Sequence, residues 1–273
     1  MRPSGKKGGM DYSMNRFIKD VVRYYPYAMY SAKSDLKDEV ASSYLNWLWW
    51  ILDPLLFMCV YTFIALVIFQ KGTPYFPVFV FIGLTMWNFF SKTTLQCVKV
   101  VRTNSAIVSK VYLPKWVLIW NRILVNGFKM LVSFVLVAVL MAIYRVPLTW
   151  NVFWIVPIVL EACLFTFGFS CFLLHFGVYV DDLYNVTNVF LKLLFYLTGI
   201  FYDISRLVKE PWQTFLLSVN PMSTLIQSAR VCLLYEQEPY LDLMLIWLGF
   251  SLLLCVHGVR MIYKSENSYA KVM

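Results

Sequence analysis

Few residues in this chain could do covalent chemistry. Its six cysteines (Cys59, Cys97, Cys163, Cys171, Cys232, Cys255) and two histidines (His175, His257) are spread singly. No two cysteines stand in a Cys-x-x-Cys pair and most lie in apolar runs, so they read as small buried hydrophobes. The isolated histidines lack the spacing of a metal site, and none is expected. Adjacent Asp181 and Asp182 read as a turn or helix cap rather than an acid–base pair. There is no His-Glu-x-x-His, no nucleophile elbow and no glycine-rich phosphate loop ending in Lys-Ser/Thr. The expectation is a chain that is not an enzyme and has no nucleotide site of its own. What remains are charges in apolar surroundings: Asp53, Arg122, Lys129, Glu161 and Lys192. Such charges are costly in a membrane and default to functional hypotheses. Counting helical rise from the basic side, Asp53 and Arg122 lie roughly 10 Å deep, Lys192 similarly or slightly deeper, and Lys129 about 20 Å, near Glu161. Depth alone pairs Asp53 with Arg122 or Lys192, and Lys129 with Glu161.

The surroundings are membrane-like. Of 273 residues, 60% are hydrophobic and 14% charged, too apolar for a soluble domain. Several runs exceed the roughly 18 residues needed to cross hydrocarbon. They are continuous rather than alternating, which excludes a barrel and predicts an all-α integral membrane protein. About six spans are expected, near 46–70, 76–98, 116–142, 151–178, 184–203 and 240–262. The net charge of +9 concentrates before the first span, between the second and third, and in the tail. That distribution makes both termini cytoplasmic; no basic array interleaved with exposed aromatics suggests nucleic acid. Residues 1–13 read as a flexible basic N-terminus, and the charged stretch that follows does not fit a cleavable signal.

Three connections carry pattern of their own. In 14–32, Phe17, Val21, Tyr24 and Ala28 recur at helical spacing among Arg16, Lys19 and Arg23, which predicts an amphipathic helix at the inner interface, kinked or divided at Pro26. "NSAIVSKVYLPKW" (104–116) has an apolar stripe of Ile107, Val108, Val111 and Tyr112 beside Lys110 and Lys115. Asn104 or Ser105 is suited to cap a short helix there, and Pro114 ends it. On the outer side, 203–240 is too apolar for a free loop. It divides at Asn220-Pro221, a good N-cap followed by a good first helical residue. Each half reaches only ~21 Å, so two short helices are expected to dip into the outer leaflet and return, as a gate that also includes Arg230.

Four blocks in order resemble the permease subunits of polysaccharide-exporting ABC transporters, which move O-antigen, teichoic acid or capsular glycans on a lipid carrier. The first, "SDLKDEVASSYLNWLWWILDPLLFMCVY" (34–61), fits the pattern at Asp35, Leu36, Lys37, Ser43, Leu45, Leu48, Trp49, Pro54 and Leu55. It departs at Glu39, where a basic residue is usual, at Asn46, where glycine is usual, and at Asp53, where asparagine is usual. The others are "GLTMWNFFSKTTLQCVKVVRTNSAIVSKVYLPKWVL", "LKLLFYLTGIFY" with Gly199 where proline is common, and "LSVNPMSTLIQSARVCLL". The resemblance implies a homodimer bound to two cytoplasmic ATPase chains that hold ATP and Mg, with a lipid-linked polysaccharide as substrate, in the cytoplasmic membrane of a bacterium.

Under that resemblance 14–45 is the interface helix and connection, 46–263 the transmembrane domain and 264–273 a cytoplasmic tail. Within the transmembrane domain, 104–113 is the coupling helix and 205–236 the external hairpin. The coupling contact comprises Asn104, Ser105, Ile107, Val108, Lys110, Val111 and Tyr112, flanked by Asp35 and Lys37. A glycan path needs flat faces that stack on sugar rings with polar handles; Trp49, Trp50, Phe57, Tyr61, Trp87, Phe90, Tyr196 and Tyr202 are its candidates. A small-molecule exporter of related architecture and a membrane-embedded transferase are the alternatives.

Overall fold

The computed structural model describes residues 9–41, 46–68 and 74–272. Expectations resting on 1–8, 42–45 and 69–73, among them Ser43 and Leu45, fall outside the described residues. Every described element is helical. In order they are α1 (Gly9–Ala41), α2 (Asn46–Phe63, extended by a π-helical turn Ile64–Ile68), α3 (Phe76–Val98), the single turns α4 (Val100–Thr103) and α5 (Ser105–Val108), and α6 (Trp116–Ile143). A 3-10 turn, Trp150–Trp154, leads into α7 (Ile155–Tyr179), followed by α8 (Leu183–Leu197), α9 (Ile204–Leu207), α10 (Trp212–Val219), α11 (Pro221–Leu234) and α12 (Leu241–Val272).

Four stretches are long and apolar enough to cross a membrane: 76–98, 116–143, 150–179 and 241–266. The expected spans 46–70 and 184–203 contain shorter apolar helices, Trp47–Phe63 and Leu183–Leu197. α8 stops early because Gly199 turns the backbone to φ +71°, and a Cβ there would stand 2.6 Å from Ile204 Cγ1. Only glycine takes that conformation freely.

α1 starts at Gly9, inside the stretch expected to be flexible, and runs unbroken through Pro26. Ala28 is buried and Phe17 and Tyr24 are half-buried in the cluster around Trp116, Val117 and Ile119 of α6. A packed face carries the helix past the one hydrogen bond that proline removes.

α3 is the centre of the molecule, with α2, α6, α7, α8 and α11 packed around it. α11 is buried along its whole length. Asn220 caps it, accepting from the backbone N–H groups of Met222 (3.1 Å) and Ser223 (3.4 Å), with Pro221 in the first turn as its sequence predicts. α12 lies along α7, close enough that a Cβ on Gly258 would come 2.5 Å from Cys171 Cβ.

Candidate functional site

The 104–113 segment is a single helical turn rather than an extended amphipathic helix. Ile107, Val111 and Tyr112 are exposed, whereas Val108 turns inward against the core. Ser105 and Lys110 are exposed. Asn104 does not cap α5: its side-chain amide reaches back to the Val100 carbonyl at 2.7 Å. Ser105 supplies no side-chain cap to the turn either.

The segment is pinned at both ends. On one side the Arg102 guanidinium pairs with Asp181 and donates to the Val178 carbonyl at 2.9 Å, tying α4 to the turn after α7. That turn is therefore the partner of an arginine, and Asp182 makes no side-chain cap to α8. On the other side Tyr112 donates to Glu266 Oε2 at 3.0 Å and receives a hydrogen bond from Arg16. Arg16 also reaches Glu266 (3.4 Å) and Asp20 (3.7 Å) and lies 4.6 Å from the Tyr263 ring centroid. Tyr263 donates to Asp20 at 2.7 Å and accepts from the Trp116 indole N–H at 2.9 Å. Burial and then the bond to Glu266 push the Tyr112 hydroxyl above the usual phenol range. Lys115 is buried, its ammonium on the Leu113 carbonyl at 3.0 Å; burial pulls it below the usual lysine range, against the pull of Glu266.

Asp35 faces α6 instead of the 104–113 segment, accepting from Asn121 at 3.0 Å and pairing with Arg122 at 3.2 Å. Lys37 is exposed on α1. The α1 residue beside the segment is Arg16, with Asp20 one turn on. Arg16/Asp20 and Tyr263/Glu266 stand at i,i+4 and i,i+3 in the sequence, but nothing local says that the two pairs meet.

The intramembrane charges pair differently from the depth-based expectation. Asp53 faces Lys92 at 3.5 Å, Arg122 meets Asp35, and Lys129 meets Glu39 at 2.6 Å. Helical phase explains the difference. Lys129 projects from the face of α6 that looks at α1 and α2, with its ammonium 5.2 Å from the Trp50 ring centroid. Glu161 instead borders an apolar groove of about 820 Å³ between α1, α6, α7 and α12, and its Oε1 is buried without a hydrogen-bond partner. Lys192 is exposed on α8. Glu39, a departure from the resembled pattern, is thus matched by a lysine. A Lys129→Glu variant is expected to lose on the order of 1 kcal/mol, about 2–4 °C in Tm. Adding Glu39→Lys should restore it in a thermal-melt assay, and independent losses would refute the pairing.

Of the aromatic candidates, Trp87 and Phe90 are core residues. Trp87 packs on Phe90 (5.6 Å between centroids) and Phe195 (5.8 Å), and both are enclosed, so neither offers a face to a passing ligand. Hydrophobicity could not separate them from exposed rings. Trp49, Phe57 and Tyr196 are exposed. Trp50 packs edge-on to Phe128. Tyr61 stacks on Phe201 at 3.5 Å, joining α2 to the turn after α8, and Tyr202 donates to the Tyr196 carbonyl at 3.0 Å.

At the far end of the molecule Asn220 donates to Thr198 Oγ1 at 2.8 Å, and Pro221 is buried. Arg230 is 1% exposed. Its guanidinium donates to the carbonyls of Phe79 (3.1 Å), Gly199 (2.8 Å) and Ile200 (2.8 Å), and lies 3.5 Å from the Phe79 ring centroid. It fastens α11 to α3 and to the turn that ends α8.

Residues 30–234 match the family described as ABC-2 type transporter. The chain is 28% identical over 225 residues to the O-antigen export system permease protein RfbA of Myxococcus xanthus, covering 82% of this chain and 86% of that one. It is 25% identical over 240 residues to the protein of the same name from Klebsiella pneumoniae, covering 88% and 92%. With three quarters of its length in the match and an all-helical body of membrane-crossing length, this chain belongs to the ABC-2 type transporter family.

Proposed function

We propose that the chain is the membrane-spanning subunit of an ATP-driven exporter that carries a lipid-linked cell-surface polysaccharide across the bacterial cytoplasmic membrane. The substrate class rests on the likeness to O-antigen export permeases over most of both chains. The observation that carries the transport role is the exposed apolar turn of Ile107, Val111 and Tyr112, held rigidly at the basic end of the spans. With no phosphate loop in the chain, chemical energy enters through a separate cytosolic ATPase that binds ATP and Mg, and an apolar turn suits the cleft of such a partner. Lys110 lies at the rim, where charge aids orientation more than affinity.

The working unit is two copies of this chain with two ATPase chains. α2, α3, α6, α7, α8 and α12 make six crossings, α1 lies at the inner interface and both termini are cytoplasmic. α2 with its π turn reaches about 34 Å, whereas α8 reaches only about 22 Å and completes its crossing through the 198–203 turn. α9 to α11 form the outer re-entrant hairpin, and full burial of α11 supports this because irregular backbone at membrane depth must be covered by protein. Asn220, Pro221 and Arg230 belong to this outer gate. The rings of Trp49, Phe57, Tyr61, Tyr196 and Tyr202 on the α2–α8 side border the glycan path between the two copies.

Depletion of the protein in its host is the test. The expected result is accumulation of lipid-linked glycan on the inner leaflet, with a matching fall in surface polysaccharide. Unchanged surface glycan with no accumulated precursor would refute the substrate class.

A further inference from the structure

The apolar turn is fastened to the last helix of the chain rather than to its sequence neighbours alone. Tyr112 and Glu266 are 154 positions apart in the sequence and meet at 3.0 Å. Around them converge α1 (Arg16, Asp20), the first residue of α6 (Trp116) and the cytoplasmic end of α12 (Tyr263, Glu266). The contacts are charge-assisted or backed by rings: Phe17 of α1 also packs edge-on to Trp116 with centroids 4.9 Å apart.

α12 is one helix from Leu241 to Val272, about 48 Å of rod. Its far end is tied to the outer hairpin. The Tyr240 N–H, just before α12, donates to Ser228 Oγ of α11 at 3.3 Å, and the Tyr240 hydroxyl meets Ser205 Oγ at 3.0 Å. Ser205 Oγ also accepts from Gln227 of α11 at 3.2 Å. Over its length α12 packs against α7. The apolar turn and α11 are therefore joined to opposite ends of a single stiff element that also packs along α7.

We propose that Tyr112, Arg16 and Glu266 are positioning residues that lock the ATPase-docking turn to α12, so that movement of the docked ATPase is delivered along α12 to the outer hairpin. This rests on the docking role assigned above. A helix transmits displacement only if its end is held. Glu266 holds it to the turn through Tyr112, and Arg16 bridges both to α1. Coupling of this kind is established by perturbing the joint while binding stays intact.

The test uses the permease co-expressed with its ATPase in inverted membrane vesicles. The variants are Tyr112→Phe, Glu266→Gln and the pair together; ATPase co-purification, ATP hydrolysis and glycan moved per ATP are measured. Glu266→Gln is expected to keep the bound ATPase while glycan moved per ATP falls about tenfold, the scale of one lost charge-assisted hydrogen bond. The double variant should be no worse than the more severe single one, because both break one joint. Wild-type coupling in Glu266→Gln, or a double variant clearly worse than either single one, overturns the proposal. Loss of the docking reading itself looks different: the ATPase would still bind a chain whose exposed Ile107 and Val111 had been made acidic.

Discussion

An Arg230→Met variant is expected to lose its assembled fold in detergent under conditions where the wild type persists. The Arg230 side chain links α11 to the carbonyls of Phe79, Gly199 and Ile200. Methionine fills much of the space but leaves three carbonyls without that donor in an interior that water does not reach, at about 1–3 kcal/mol for each one left unsatisfied. Partial relaxation brings the expected loss to on the order of 3–5 kcal/mol. Arg230→Lys should recover only part of it, because one ammonium cannot fork across carbonyls on two separate elements. Gly83→Ala should behave similarly by a different route: its Cβ would sit 2.5 Å from Arg230 Nη2 and push the guanidinium off its acceptors. Thermal inactivation followed by size-exclusion chromatography measures all three. An Arg230→Met chain that elutes and melts like the wild type would show that the three carbonyl contacts do not hold α11 in place.

The second large effect concerns the proposed docking turn. Ile107→Asp with Val111→Asp is expected to abolish ATPase co-purification and export while leaving synthesis and membrane insertion intact. Both residues are exposed, so charge there disturbs no packing in the free chain. Val108 is left alone because it packs inward, and an acid at 108 would damage the fold and confuse the readout. Apolar anchors at the centre of an interface carry most of its energy. Two buried carboxylates should weaken binding by about two orders of magnitude or more in Kd, measured with purified ATPase and nanodisc-embedded permease. Normal binding and export by the double variant would make the turn a membrane-surface linker and return the question of energy input to another part of the basic face.

The long spans were legible because length and continuous apolarity are local properties: the boundaries of α3, α6 and α7 fall within a few residues of those read from the runs. The cap at Asn220-Pro221 was legible for the same reason. α8 was read too long because its run of apolar residues continues past Gly199, and only the backbone shows that the helix has already ended. The pairing of Lys129 with Glu161 failed because depth fixes how far along a helix a charge lies but not the direction in which it points. Glu39 was visible as a departure from the resembled pattern, yet its lysine partner is 90 positions away. The joint of Arg16, Tyr112 and Glu266 was beyond reach on similar grounds. Each residue is unremarkable in its own segment, and the contact exists only once α1 and α12 have come to either side of the turn. Trp87 and Phe90 mark the same boundary from the other side, since ring chemistry suggested a path and tertiary enclosure closed it.

The enclosure of α3 has a consequence for how the protein is made. Among the four helices of crossing length it is the least apolar, and 78% of its crossing stretch is buried, against 33%, 39% and 22% for the other three. It carries Thr85, Thr93 and Thr94 inside the bundle. Yet it leaves the ribosome before α6, α7 and α11, the helices that cover it. Until they arrive α3 has only α2 of its final neighbours beside it, and on mean hydropathy its insertion is the least favoured of the four. The helix on which the finished molecule most depends therefore enters the bilayer with the smallest apolar drive of the four and is covered only once the later helices are in place.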